Sequence, residues 1–565
     1  MKEETTLMKK NLKRFLVALL AVLMVFSLAA CGGKTEPTPP DDGGDGGDDA
    51  PKFKDTFTFA IGGEPSSMDP ANAGDSVTGL VTSQIQYGLF HIGEDGSMVP
   101  DSVLPDWEVS DDGLVYTFKL RENYWSDGKK VTAEDFEYGA KHTLSCAPSD
   151  AGYKTDIMCA WIKNAMKYAD GGVSANDMDD VGIEALDENT IQYTLEVPCP
   201  YFISMLANSI YNPVRSDFAV DGDVTWANSA DVPTNGPYHL TYIDKADRFE
   251  MEKNQYFWDA ANVVTEHLVG IVVEDMDAQL IQFQRGEIDF AEAVDATVCS
   301  ELYAGTDTFR TSGAINYYTG INCYGDCEAL HDRRVRRALQ LGVDREKICE
   351  AMGAGDAYYP LYSFIPDGMP GLNGDWNDEA GHLVYLDYDE AKALLAEAGY
   401  DKPDADGYVL TLEYSYNAST MHTTVADVLT SEYKKIGVKI VQKTAELRTF
   451  FSDRSNGQFE ICRNAFSADY MDPACFIELF NNEFATVKTA GDDHVNEEIA
   501  KSKTIMDQTE RFTLLHEIEN YYVEEMCFTN PLFGYGSGYL VGDGVTGFTT
   551  SPQANFVFWY VKVPA

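Results

Sequence analysis

The chain has 565 residues, enough for two or three domains, with a globular composition of 44% hydrophobic and 12% aromatic residues. Its 92 Asp and Glu against 42 Lys and Arg give a formal net charge of -50. Phosphate backbones require clustered Lys and Arg, so this charge argues against nucleic acid as a partner.

At the N-terminus Lys9, Lys10, Lys13 and Arg14 precede residues 15–30, which carry no charge. The stretch is short for a membrane-spanning helix and reads as a signal peptide over 1–30. It ends Leu28-Ala29-Ala30-Cys31, which resembles a bacterial lipobox. That resemblance implies cleavage before Cys31 and lipid on its thiol. Residues 31–50 are dominated by Gly, Pro, Asp and Thr and cannot bury enough surface to offset ordering, so they are expected to form a flexible acidic tether.

The region that follows mixes strands and helices without a repeat. Residues 56–60 and 115–120 alternate as strands do, the second after an Asp111-Asp112-Gly113 turn. Helical spacing marks 335–341 and 423–436, and 438–441 is strand-like. Asp387 and Glu390 have capping-box spacing ahead of the helix formers 391–398, and Gly399 is placed to stop the helix. The alternation predicts an α/β fold. Ten cysteines besides Cys31 are scattered, with Cys323 and Cys327 the only close pair. This spacing does not suit a zinc site and leaves both disulfides and buried thiols open.

Five blocks carry a family resemblance: 104–123 running into Trp125-Ser126-Asp127-Gly128 and 131–136; Thr234-Asn235-Gly236-Pro237-Tyr238 with 252–258; 286–289; 335–345 with 391–400; and 463–473. Together they resemble the extracellular solute-binding proteins of peptide importers, specifically the oligopeptide-binding proteins, over nearly the whole mature chain. The resemblance implies a periplasmic-binding-protein-like type II (class C) fold, with two lobes closing on ligand and an extra lobe. By analogy lobe I comprises 51–87, 213–285 and 536–565, lobe II is 88–212, and lobe III is 286–535. It also implies a monomer that passes peptides to membrane permease subunits of an ABC importer, is held to the membrane by lipid on Cys31, and uses no cofactor.

A peptide presents an ammonium, a carboxylate and a row of amides, and a receptor enclosing it must satisfy all three. The resemblance assigns the ammonium to Asp469 in Ala468-Asp469-Tyr470. It assigns the far end to Arg463, Arg454 and His422, where guanidinium forks suit a carboxylate. Ala465 and Ser467 are expected to pair with the ligand through their main chain, as in strand addition. Tyr153 and Tyr535 are candidates for the cleft wall, and Asp472 reads as a turn or cap residue. Phe466 and Leu447 stand where relatives carry Trp, and Ser467 where they carry Cys, which leaves pocket shape open. Relatives that bind dipeptides, nickel complexes, haem or oligosaccharides, and receptors for signalling peptides, are the nearest alternatives.

Other chemistries fit less well. His516-Glu517 begins like a zinc-protease motif, but Asn520 occupies the place of the second histidine. Ser537 lies among glycines without nucleophile-elbow spacing. Asp404, Asp406, Gly407 and Glu413 fit EF-hand positions, but Lys402 stands where the first ligand oxygen belongs, so a turn is expected.

Overall fold

The computed structural model describes residues 52–72, 75–149, 154–353, 355–481 and 492–565. The expected signal peptide and tether, Cys31 and Tyr153 lie outside the described residues.

An 11-stranded mixed sheet organises the fold. From one edge it runs Val438–Ala445, Leu410–Asn417, Ile461–Ser467, Phe309–Ile321, Thr529–Val541, Phe290–Ala291, Thr56–Ile61, His267–Val272, Arg248–Lys253 and Tyr238–Asp244; Tyr358–Pro360 also pairs with Thr529–Val541. The two central strands have 13 residues each, pair antiparallel, and belong to both halves of the sheet. Thr56–Ile61 is parallel to both its neighbours, which requires crossover connections.

The period of two along these strands explains how both faces are covered. Phe57, Phe59, Ile61, Phe290, Tyr539 and Val541 enter one apolar cluster. Their alternates Ala60, Ala291 and Leu540 enter another. Phe290 packs edge-on to Phe556 at 4.9 Å and Phe558 at 5.1 Å. Truncating so buried an aromatic to Ala costs about 3–5 kcal/mol. A separate four-stranded sheet, Glu108–Val109, Val115–Lys119, Thr190–Thr194 and Ile183–Asp187, packs Phe118 and Tyr193 against Phe136 and Phe202.

Part of the acidity goes into helix starts. Asp75, Asp275, Asp332, Asp344, Asp387 and Asp507 each accept a backbone N–H as N-caps, where the helix dipole also favours negative charge. The helix predicted from residues 391–398 is Tyr388–Glu397, and Gly399, at φ +95°, follows its end. Asp387 caps it, but Glu390 does not complete a capping box; its carboxylate accepts from the Tyr385 hydroxyl at 3.0 Å instead. The helix predicted from 423 begins earlier, as Thr420–Lys435, because Ser419 caps it through the His422 N–H. Asp404 accepts from the N–H groups of Asp406 and Tyr408, the turn expected there, and the strand Leu410–Asn417 follows. Ser537 lies inside the strand Thr529–Val541, opposite Ser312. All ten described cysteines are free, so of the two readings left open for them the thiol form is the one observed.

Candidate functional site

The site is built on the strand Ile461–Ser467. Its antiparallel partner Phe309–Ile321 runs the whole length, from Ile321 opposite Ile461 to Ile315 opposite Ser467. The phase of this ladder is set at its ends: Asn322 N–H donates to the Glu460 carbonyl at 2.9 Å, and Ala468 N–H to the Ala314 carbonyl at 3.3 Å. Even-numbered residues therefore bond to this neighbour, and the main-chain groups of Ala465 and Ser467 point the other way. On that other side Leu410–Asn417 pairs only with Ile461 and Cys462. Residues 464–467 thus present an open strand edge, to which Ser467 turns its N–H and C=O and Ala465 its C=O, while the Ala465 N–H donates to Asn464 Oδ1 at 3.2 Å.

Opposite charges flank this edge. Asp469, just beyond the strand, is exposed, and its N–H donates to Cys475 Sγ at 3.2 Å. With Ser467 and Ala468 it lines a cavity of about 350 Å³. The opposite wall brings Asp75, Gln86, His91, Asp101, Asn212 and Trp559 to the same space. Behind the segment, Asp472 caps Ala474 N–H at 2.9 Å, as the turn reading anticipated, and also holds the buried Arg511 guanidinium at 2.8 Å.

At the other end Arg463, only 8% exposed, donates from Nε to Asn417 Oδ1 at 2.7 Å. Arg454, on the helix Leu447–Ser455, donates from Nη1 to Asn464 Oδ1 at 2.6 Å. Burial, with Arg463's charge as a lesser contribution, pulls Arg454 below the ordinary arginine value. His422 Nδ1 stands 3.1 Å from the Tyr317 hydroxyl. Burial, reinforced by the Arg463 charge, pulls its imidazole down to about 4, so it is neutral at pH 7. Tyr535 is half-buried beside Tyr358, their rings stacked at 6.0 Å, and it feels the Arg463 charge.

The structure therefore sorts the candidates into two groups on one strand. Ser467 and Asp469 lie at the cavity. Arg463, Arg454 and His422 gather at the far end, about 20 Å along the chain at strand rise, while Tyr535 stands level with Ser467, each of them opposite Ile315. Phe466 is half-buried, edge-on to Phe476 at 5.3 Å. The far wall was missed: His91 and Asp101 form a 2.6 Å ion pair there. Only the hairpin Phe90–Ile92 and Met98–Pro100, which holds His91 and directly precedes Asp101, offered a signal, and it marks a strand, not a site.

Solved structures share this fold. The open, unliganded form of the murein tripeptide-binding protein MppA superposes with a TM-score of 0.76 at 24% identity, covering 91% of this chain and 98% of that one; at this identity the likeness speaks for the fold alone. A periplasmic oligopeptide-binding protein from Borrelia burgdorferi superposes with a TM-score of 0.66 at 26% identity, covering 90% and 100%. The molecule is thus a mixed α/β protein of the type II periplasmic-binding-protein class. The model of the bacterial extracellular solute-binding proteins, family 5 (middle region), matches residues 97–486, and the chain belongs to that family. Similar curated proteins include the dipeptide-binding protein DppE of Bacillus subtilis, 29% identical over 86% of this chain and 88% of its own length. The periplasmic oligopeptide-binding protein OppA of Salmonella typhimurium is 29% identical over 90% and 92%.

Proposed function

We propose that the chain is a lipid-anchored extracellular receptor that captures oligopeptides and delivers them to the permease subunits of an ABC-type importer. One observation carries this reading: an open strand edge with a carboxylate beyond one end and guanidinium groups at the other. An extended peptide adds to such an edge through its own amides, with its ammonium toward Asp469 and its carboxylate toward Arg463 and Arg454. The functions of the relatives, dipeptide and oligopeptide binding, agree with it.

Main-chain pairing at Ala465 and Ser467 holds a ligand whatever its side chains. On this reading lobe I (51–87, 213–285, 536–565) and lobe III (286–535) rotate together over the peptide, and lobe II (88–212) extends the cavity side. Closure removes bulk water, which strengthens each charged contact. Lipid on Cys31 keeps the receptor near its permease; a single acyl chain binds only marginally, so firm anchoring takes more than one. The chemistry is that of a receptor, not an enzyme.

The test is thermal melting of the purified protein with a peptide pool, compared with nickel chelates and oligosaccharides. A rise in Tm is expected with peptides and its loss in Asp469→Ala. An equal shift in Asp469→Ala removes the ammonium assignment; a shift with chelates or sugars and none with peptides overturns the peptide reading. Mass spectrometry of co-purified ligand then gives the peptide length.

A further inference from the structure

Two cations at the far end of the site lack a carboxylate partner. Arg454 and Arg463 donate to the neutral amides of Asn464 and Asn417. Among the described residues neither lies within 4.0 Å of an Asp or Glu oxygen. Both guanidinium groups lie against the same two rings: Arg454 is 4.7 Å from Phe451 and 5.8 Å from Phe450, Arg463 4.9 Å from Phe450 and 5.5 Å from Phe451. Ring faces attract cations but do not neutralise them. Arg454 Nε is buried without a hydrogen-bond partner.

Among the described residues nothing nearby supplies the missing charge. The Cys462 thiol, on the same strand, is pushed up to about 12 by burial and stays protonated. His422 is neutral and adds no charge of either sign. In a chain of net charge -50 this is a local excess of two positive charges. A peptide's α-carboxylate offsets one of them, and the other, enclosed on closure without a counter-charge, is costly.

We infer that this end of the site takes a dicarboxylate: a peptide whose last or next-to-last residue is Asp or Glu, its α-carboxylate on one guanidinium and its side-chain carboxylate on the other. The inference rests on the peptide reading above and narrows it to a class of ligand. Arg463 commits Nε and Nη2 to Asn417 and Arg454 commits Nη1 to Asn464, so a carboxylate meets the remaining Nη donors of each.

The experiment is calorimetric titration of the full chain, at low salt, with alanine tri-, tetra- and pentapeptides carrying Glu or Gln at the last or next-to-last position. At the length that binds best, the Glu peptide should bind at least tenfold more tightly than its Gln counterpart. That ratio should fall below twofold in both Arg454→Gln and Arg463→Gln, and remain above threefold in Arg454→Lys, which keeps the charge. Glu and Gln peptides within twofold of each other in the wild type would overturn the inference while leaving peptide capture standing. Failure of every peptide to bind would remove both. A ratio undiminished in the two Gln variants would assign the acidic side chain elsewhere and also overturn it. Melting of the ligand-free variants checks their fold, and the wild-type ratio decides the case even if one variant does not fold.

Discussion

Arg511 holds Asp472 in a two-pronged ion pair directly behind the segment that carries Asp469, with side-chain exposures of 3% and 9%. Asp472 also caps the Ala474 N–H, so one carboxylate fixes both the turn and the cation. Asp472→Ala strands a buried guanidinium, and breaking such a pair costs about 3–5 kcal/mol. Urea unfolding should show a loss of that size. A loss below about 1 kcal/mol would mean that water reaches Arg511 once the acid is gone.

The open edge makes a backbone prediction. Ser467 turns its N–H away from Phe309–Ile321, so proline there removes no ladder bond but deletes a donor from the edge. Ser467→Pro should bind peptide at least tenfold more weakly than Ser467→Ala in calorimetry. Equal affinities would show that ligands do not pair with this edge.

His422 gives a prediction of no titration. Its folded value near 4 lies below the unfolded value of about 6.5, so the imidazole is already neutral throughout pH 5.5–7.5. The peptide affinities of the wild type and His422→Gln, measured across that range, should follow parallel pH profiles. A step present only in the wild type would make His422 a cationic anchor. His91, whose imidazole lines the cavity 2.6 Å from Asp101, contributes equally to both proteins and does not disturb the comparison.

Local elements were legible because their signals are local. Thr56–Ile61 alternates, Asp387 caps, and Gly399 follows a helix end with a left-handed φ. The long central strands were not, because Phe309–Ile321 and Thr529–Val541 are buried on both faces along much of their length and lose the alternation that marks an exposed sheet. Glycines also interrupt them for packing reasons: a Cβ on Gly534 would lie 2.3 Å from the Tyr359 ring. The site divides similarly. Asp469, Arg463 and Ala465 fall in one block and could be read by resemblance to a family. The stacking of Arg454 and Arg463 on Phe450 and Phe451 could not, because nothing in the spacing of these residues announces that all four side chains meet. The wall formed by His91, Asp101 and Trp559 comes from residues far from Asp469 in the chain, the first two by more than 300 positions, beyond the reach of any local pattern.

The same limit concealed the most enclosed charge among these groups. His142 Nε2 lies 2.8 Å from Asp69 Oδ2, its Nδ1 3.7 Å from Asp221 Oδ1, and both His142 and Asp69 are fully buried. Trp226 Nε1 donates to the same Asp69 oxygen, and Cys146 Sγ stands 4.0 Å from the imidazole. Burial pulls the imidazole down, but hydrogen bonds to Asp69 and Cys146 and the charge of these groups outweigh it and push it up to about 10. The folded value thus exceeds the unfolded value of about 6.5, and the native state binds the extra proton between them. The stabilisation is full below pH 6.5 and is lost as pH rises toward 10, with a slope of at most about 1.4 kcal/mol per pH unit. The useful window is pH 6.5–8, below the range in which thiols exposed by unfolding ionise. Across it, urea unfolding should show the stability gap between the wild type and His142→Gln narrowing by about 2 kcal/mol. A gap that stays constant would mean that the imidazole is neutral in the folded protein and that Asp69 is held by Trp226 instead.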